Sequence, residues 1–237
     1  MSRPDLSVII FAFNEEANIA PVLTELREWL SANEPEAEIV FVDDGSSDGT
    51  SDEATNALSG TPHQLLRHET NRGIGAALKT GVRAAKGTWV TFLPADGQIA
   101  PRAIGTLRAA AARKQTEVVF SVYDHRDDGL HRKILSAGVR ALILMIHGVR
   151  MRSDGPYLFR RALFDAEQLV PDTFFLNFEF PIRMLGAEVP ATVVTIECRP
   201  RRSGHSKSTG IKRIYGVAQD LLELRVRRVK ESHGRQA

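Results

Sequence analysis

Short apolar runs that alternate with helix-spaced stripes constrain this fold most. Leu6–Ala12 and residues 39–42, 89–93 and 117–123 have strand length and near-continuous apolar character, as strands buried on both faces of a parallel sheet do. After the first run, Ile19, Val22, Leu23, Leu26 and Leu30 recur at helical spacing. Helices are predicted over residues 51–58 and 101–113, a strand over 64–67, and a glycine-rich helix start over 71–81. Strands alternating with helices predict a parallel, doubly wound α/β sheet. Pro21 fits the first helix only in its first turn, and Ser47 or Asp48 is expected to cap the helix after the second strand.

The second half is less regular. A mostly apolar helix is predicted over 134–151, a turn into a strand over 154–159, a helix over 178–185 and a β-branched strand over 191–198. A basic loop over 199–208 then leads into an amphipathic helix carrying Ile211, Ile214, Tyr215, Ala218, Leu221 and Leu222. Without repeats or linkers, residues 1–237 read as one domain, with an N-terminal half (1–125), a second half (126–207) and a basic terminal helix (208–237).

Charged residues make up 25% and apolar residues 43%, which excludes a disordered chain. The single Cys198 excludes an intrachain disulfide and is expected to be a packing residue. No apolar stretch reaches the roughly 18 residues of a membrane helix, so the chain is not expected to cross a bilayer by itself. No leader pattern opens it. Residues 199–237 hold eleven Lys/Arg against three Asp/Glu, which points to an anionic partner. Nucleic acid is not expected, because Tyr215 alone could stack there and no binding motif is present.

The chemistry belongs at the strand ends. Asp43-Asp44-Gly45-Ser46-Ser47-Asp48-Gly49-Thr50 follows the second strand, where open α/β sheets bind ligands. Carboxylates there can accept hydrogen bonds from a base edge or a ribose hydroxyl. Asp96, with the Gln98 carbonyl nearby, ends another strand on the same edge and suits Mg²⁺ or Mn²⁺. Gly73 and Gly75 lack the third glycine, the position after the first strand and the acidic partner of a dinucleotide fingerprint; they are expected to let a helix pack tightly on the sheet beside a nucleotide. The seven histidines show no zinc spacing. No serine-hydrolase elbow is present, and Asn14-Glu15-Glu16 would repel a triphosphate where a nucleotidyltransferase needs a phosphate loop.

Taken together, Phe11-Ala12-Phe13-Asn14-Glu15, Val42 to Thr50, Asn71-Arg72-Gly73-Ile74-Gly75-Ala76-Ala77 and Ala95-Asp96-Gly97-Gln98 resemble the family 2 glycosyltransferases of GT-A fold. His131-Arg132-Lys133, the stretch from Asp154 to Phe159 and the stretch from Arg199 to Lys207 are similar to the dolichol- and polyprenyl-phosphate sugar transferases. The resemblance implies an inverting transfer of mannose or glucose from a nucleoside-diphosphate sugar to a polyprenyl phosphate. It places Phe11, Ala12, Asn14, Glu15 and Gly73 beside the nucleoside, and Asp43 and Asp44 on base and ribose. Asp96 and Gln98 would hold a Mg²⁺ or Mn²⁺ ion, with Asp96 and Arg126 in the catalytic centre. Arg126, Arg132, Arg202, Ser206 and Lys207 would meet phosphates, with Asp154 on the acceptor side. A saccharide or small-molecule hydroxyl acceptor is the alternative, and needs Glu179 or Asp154 as base. Where the family carries Asp-x-Asp, this chain has Pro94; one metal carboxylate is lost, and a non-catalytic nucleotide-sugar binding module becomes a rival reading. A lipid acceptor implies a cytoplasmic protein docked peripherally on the inner face of the cell membrane, through residues 134–151 and the basic terminal helix.

Overall fold

The computed structural model of the chain describes residues 3–124, 130–200 and 211–234. Its elements run β1 (Leu6–Ala12), α1 (Glu16–Asn33), β2 (Glu38–Asp43), α2 (Thr50–Leu58), β3 (His63–Arg67), α3 (Ile74–Ala84), β4 (Trp89–Pro94), α4 (Arg102–Lys114) and β5 (Val118–Tyr123), then α5 (Leu130–His147), β6 (Leu158–Arg160), α6 (Leu176–Gly186), β7 (Ala191–Ile196) and α7 (Ile211–Gly234). They build one sheet in the order β3-β2-β1-β4-β6-β5-β7. Every pairing is parallel except those of β6, which lies antiparallel between β4 and β5.

The alternation of side chains along each strand divides the core between the two faces of this sheet. Val8, Ile10, Ile39 and Phe41 meet α1, α2 and α4 through Leu23, Leu26, Ala54, Leu58 and Leu107. Ile9, Val40, Val42, Val90 and Phe92 meet α3 and α6 through Leu78, Val82, Leu176 and Phe180. Both faces are covered, so these strands are apolar at most positions, and their buried polar residues are bonded: Ser7 donates to Glu38 and Thr91 to the Tyr157 carbonyl. Gly81 is what lets α3 lie this close: a Cβ there would sit 2.5 Å from Ile9 Cγ2. A third cluster, with Ile143, Phe175, Ile182, Leu221 and Leu224, binds α5, α6 and α7 together.

Several details differ from the sequence expectation, among them the earlier starts of α5 and α6, at Leu130 and Leu176. Pro21 lies in the second turn of α1; its missing N–H would have paired with Ala17, an exposed residue whose carbonyl water can satisfy. The apolar pattern through Met151 overran α5, which stops at His147 because Gly148 turns left-handed at φ 71°. β7 ends at Ile196, two residues early, and the partly buried Cys198 packs against the first core cluster.

Candidate active site

Strand order reverses beside β1, whose neighbours are β2 and β4, and such a switch point opens a crevice at the carboxyl edge. Register sets Ala12 level with Asp43 on one side and Phe11 level with Pro94 on the other. The loops after β1 and β2 are then tied together. The Asn14 amide donates to Ser46 Oγ (2.9 Å), and Asn14 Oδ1 accepts from the Ser47 amide (2.9 Å). Asn14 does this from the left-handed region, at φ 52°. The Glu15 amide donates to Thr50 Oγ1 (2.8 Å), while Glu15 Oε2 accepts from Asn18 (2.7 Å). Neither Ser47 nor Asp48 is the cap of α2: the N-cap is Gly49, with no side-chain bond, while Asp48, one residue before it, accepts from the Thr50 amide (3.1 Å) and, across the gap, from the Glu16 amide (3.3 Å). Burial raises the pKa of Asp48, but the bonds from Thr50 and Glu16 outweigh this and hold the carboxyl below its ordinary value.

The Asp43–Asp44 pair closes the bottom of the crevice. Asp43 is 0% exposed. Its Oδ1 accepts from the Ser46 amide (2.9 Å), and its Oδ2 meets the Ser51 hydroxyl and Arg67 Nε, the latter at 3.4 Å. Asp44 Oδ1 accepts from the Arg72 amide (3.0 Å) and lies 2.7 Å from His68 Nδ1; Oδ2 accepts from the Gly73 amide (2.8 Å). Three of the roughly four acceptor sites of each carboxylate are therefore occupied by protein groups, and the pair fixes the loops around it. His68, which the sequence patterns did not single out, braces Asp44 from Thr80, 2.9 Å from its other ring nitrogen.

Gly73 and Gly75 do not meet the sheet as expected. A Cβ on Gly73 would lie 2.7 Å from the Asp172 carbonyl oxygen, and one on Gly75 2.6 Å from that of Thr173. The backbone just before α6 therefore rests on the start of α3, and the contact with the sheet falls to Gly81.

At the other side of the crevice, Asp96 is 7% exposed and its Oδ1 accepts from the Gln98 amide (3.1 Å). Gln98 Nε2 faces Cys198 Sγ and the Arg199 carbonyl (3.4 Å), so its Oε1 is the atom it can offer a cation. Among the described residues no three His, Cys, Asp or Glu converge as a metal cluster. One hard carboxylate beside one amide oxygen fits a Mg²⁺ or Mn²⁺ whose remaining ligands are water and diphosphate oxygens.

Asp154 joins this edge at the start of the β6 segment, its amide donating to Ser121 (2.9 Å). Its Oδ1 lies 3.2 Å from Arg140 of α5. Glu179 is elsewhere, fully buried in α6 and held by Arg183 (2.8 Å) and by Arg227 of α7 (3.0 Å). Arg126, Arg202, Ser206 and Lys207 lie outside the described residues, and Arg132 falls in the first turn of α5, where the backbone alone is described.

The family model for glycosyl transferase family 2 matches residues 7–176. A dolichol-phosphate mannosyltransferase of Mycosarcoma maydis is 32% identical over 60% of this chain and 51% of its own length. A dodecaprenyl-phosphate galacturonate synthase of Rhizobium johnstonii is 27% identical over 93% of this chain and 66% of its own. The chain thus spans half to two thirds of these relatives. Among solved structures, a glucosyl-3-phosphoglycerate synthase of Mycobacterium tuberculosis, in complex with Mn²⁺, UDP and phosphoglyceric acid, superposes with a TM-score of 0.69 at 20% identity, covering 93% of this chain and 77% of that one.

Proposed function

The chain belongs to glycosyl transferase family 2 and has the GT-A architecture, and from that premise we propose that it transfers a hexose, mannose or glucose, from a nucleoside diphosphate to a polyprenyl phosphate. An acceptor phosphate oxygen attacks the anomeric carbon, the bond to the nucleoside diphosphate breaks, the leaving diphosphate keeps the electron pair, and configuration inverts. Phe11, Ala12, Asn14, Glu15 and Gly73 border the nucleoside over the floor made by Asp43 and Asp44. Asp96 and Gln98 hold the divalent ion, Mg²⁺ or Mn²⁺, whose chemistry is stabilisation of the departing diphosphate. Arg126, Arg132, Arg202, Ser206 and Lys207 receive the phosphates, with Arg126 at the reacting centre.

The observation that carries the choice of acceptor is the state of Glu179. A fully buried carboxylate already paired with two guanidinium groups is in no position to take a proton from a hydroxyl. A phosphate acceptor arrives ionised and needs no base. A hydroxyl acceptor remains as the second reading through Asp154, which is part-exposed on the crevice edge. Among the described residues no helix is long and apolar enough to cross a membrane. Leu144 and Met145 of α5 are exposed and suit peripheral docking on the inner face of the cell membrane.

Calorimetric titration of UDP and of GDP, each with and without MnCl₂, tests the donor half. One nucleotide is expected to bind in a Mn²⁺-dependent way, and Asp96→Asn is expected to weaken that binding at least tenfold. Binding of neither nucleotide to the unaltered protein would sink the proposal.

A further inference from the structure

Lys79 is a buried cation for which sugar transfer, as proposed above, has no use. It is 6% exposed in α3, and its ammonium donates to the Val170 carbonyl (2.9 Å) and to Asp172 Oδ1 (2.9 Å). The same stretch is gripped twice more: the Ala76 amide donates to the Asp172 carbonyl (3.1 Å), and Arg72 lies 3.8 Å from Asp172 Oδ2. The glycines at 73 and 75 leave room for this approach and for no side chain. On its far side, the stretch lines a cavity of about 540 Å³ with α7, through Val170, Phe175, Leu222 and Val226. One short piece of backbone therefore has the nucleoside-side turn on one face and the α6–α7 half of the molecule on the other.

We propose that Lys79 and Asp172 are positioning residues, a clamp that sets residues 170–175 against the donor turn and so aligns the acceptor-side half with the donor. This rests on the transferase reading. The donor turn is held separately, by Asp44 on the Arg72 and Gly73 amides. Loss of the clamp should therefore disturb the acceptor and spare the nucleotide. Burial of an ammonium is unfavourable unless it is paired, and here Asp172 is its ion-pair partner.

Lys79→Met and Asp172→Ala, singly and together, test this in the full-length chain. Hydrogen exchange at residues 168–176 is expected to speed at least tenfold in each single variant, and the double variant is expected to be no faster, because the two residues act as a unit. Asp172→Asn keeps an acceptor oxygen for Lys79 and is expected to retain near-normal exchange. In transfer assays, the acceptor KM is expected to rise at least fivefold in Lys79→Met, with the Kd of UDP or GDP in the presence of Mn²⁺ changed less than twofold. A merely structural role would reduce the folded fraction and lower kcat without moving the acceptor KM. Unchanged exchange at 168–176 in the single variants overturns the clamp, as does an unchanged acceptor KM. If the unaltered protein transfers no sugar, the transferase reading fails while the exchange result still decides whether the clamp exists.

Discussion

Glu179 shows why residue type alone does not assign a role. In the sequence it is one acidic residue in an apolar helix, a reasonable base for a hydroxyl acceptor. Folded, it has 0% exposure and faces Arg183 and Arg227, with Arg183 also bound to Glu231 at 2.8 Å. Those partners lie 4 and 48 positions away; the first was within sight of a helical wheel, the second was not. Removing one member of a buried charge network leaves the others uncompensated. Glu179→Gln is therefore expected to lower stability by about 3 kcal/mol, a fall of roughly 6–12 °C in Tm for a domain of this size, while turnover per folded molecule at lower temperature is retained. Loss of turnover with an unchanged Tm would return Glu179 to the chemistry. The aspartates followed the same pattern: their place at strand ends was legible, but their engagement with Ser46, Ser51, Arg72 and Gly73 depended on loops whose course no local pattern fixes.

Among the elements, the central strands were the easiest to read, because burial on both faces leaves nearly continuous apolar runs. The exception is β6, whose three residues Leu158–Arg160 enter antiparallel between β4 and β5; its strand character was expected from the 154–159 stretch, but its direction and partners are set by tertiary packing. Helices α5 and α7 share a weak joint of their own. His147, at the end of α5, lies 3.0 Å from the Leu221 carbonyl of α7 through Nε2 and 3.5 Å from Arg228 through Nδ1. Burial lowers its pKa, the Leu221 carbonyl pulls it back up, and Arg228 and Arg225 push it down again; the net shift is below the ordinary 6.5. The unfolded chain then binds this proton more readily than the folded one, so stability rises with pH across the window. This contribution is neutral above about pH 6.5 and turns destabilising as pH falls from there through the lowered folded value. Denaturant titrations at steps from pH 8 to pH 5 are expected to show this loss, and His147→Gln is expected to flatten it. An equal slope in the variant would place the sensitivity elsewhere.

For the molecule as a whole, the sheet brings the ends of its parallel strands and the start of β6 to one edge. That edge carries the Asp43–Asp44 floor, Asp96 with Gln98, and Asp154 with Arg140. On the proposed reading, Pro94 leaves Asp96 as the one carboxylate among the described residues at the metal end, and either the affinity for the ion is lower or the diphosphate supplies more of its coordination. Binding and turnover should therefore depend together on donor, divalent ion and Asp96. The most direct measurement supplies radiolabelled GDP-mannose and UDP-glucose, each with Mn²⁺ and a polyprenyl phosphate in detergent, and follows label into the organic phase. The expected result is a mild-acid-labile, organic-extractable product from one donor, absent without polyprenyl phosphate or with Asp96→Asn. No such product from either donor, with label passing into a water-soluble glycoside, would contradict sugar transfer to a lipid phosphate.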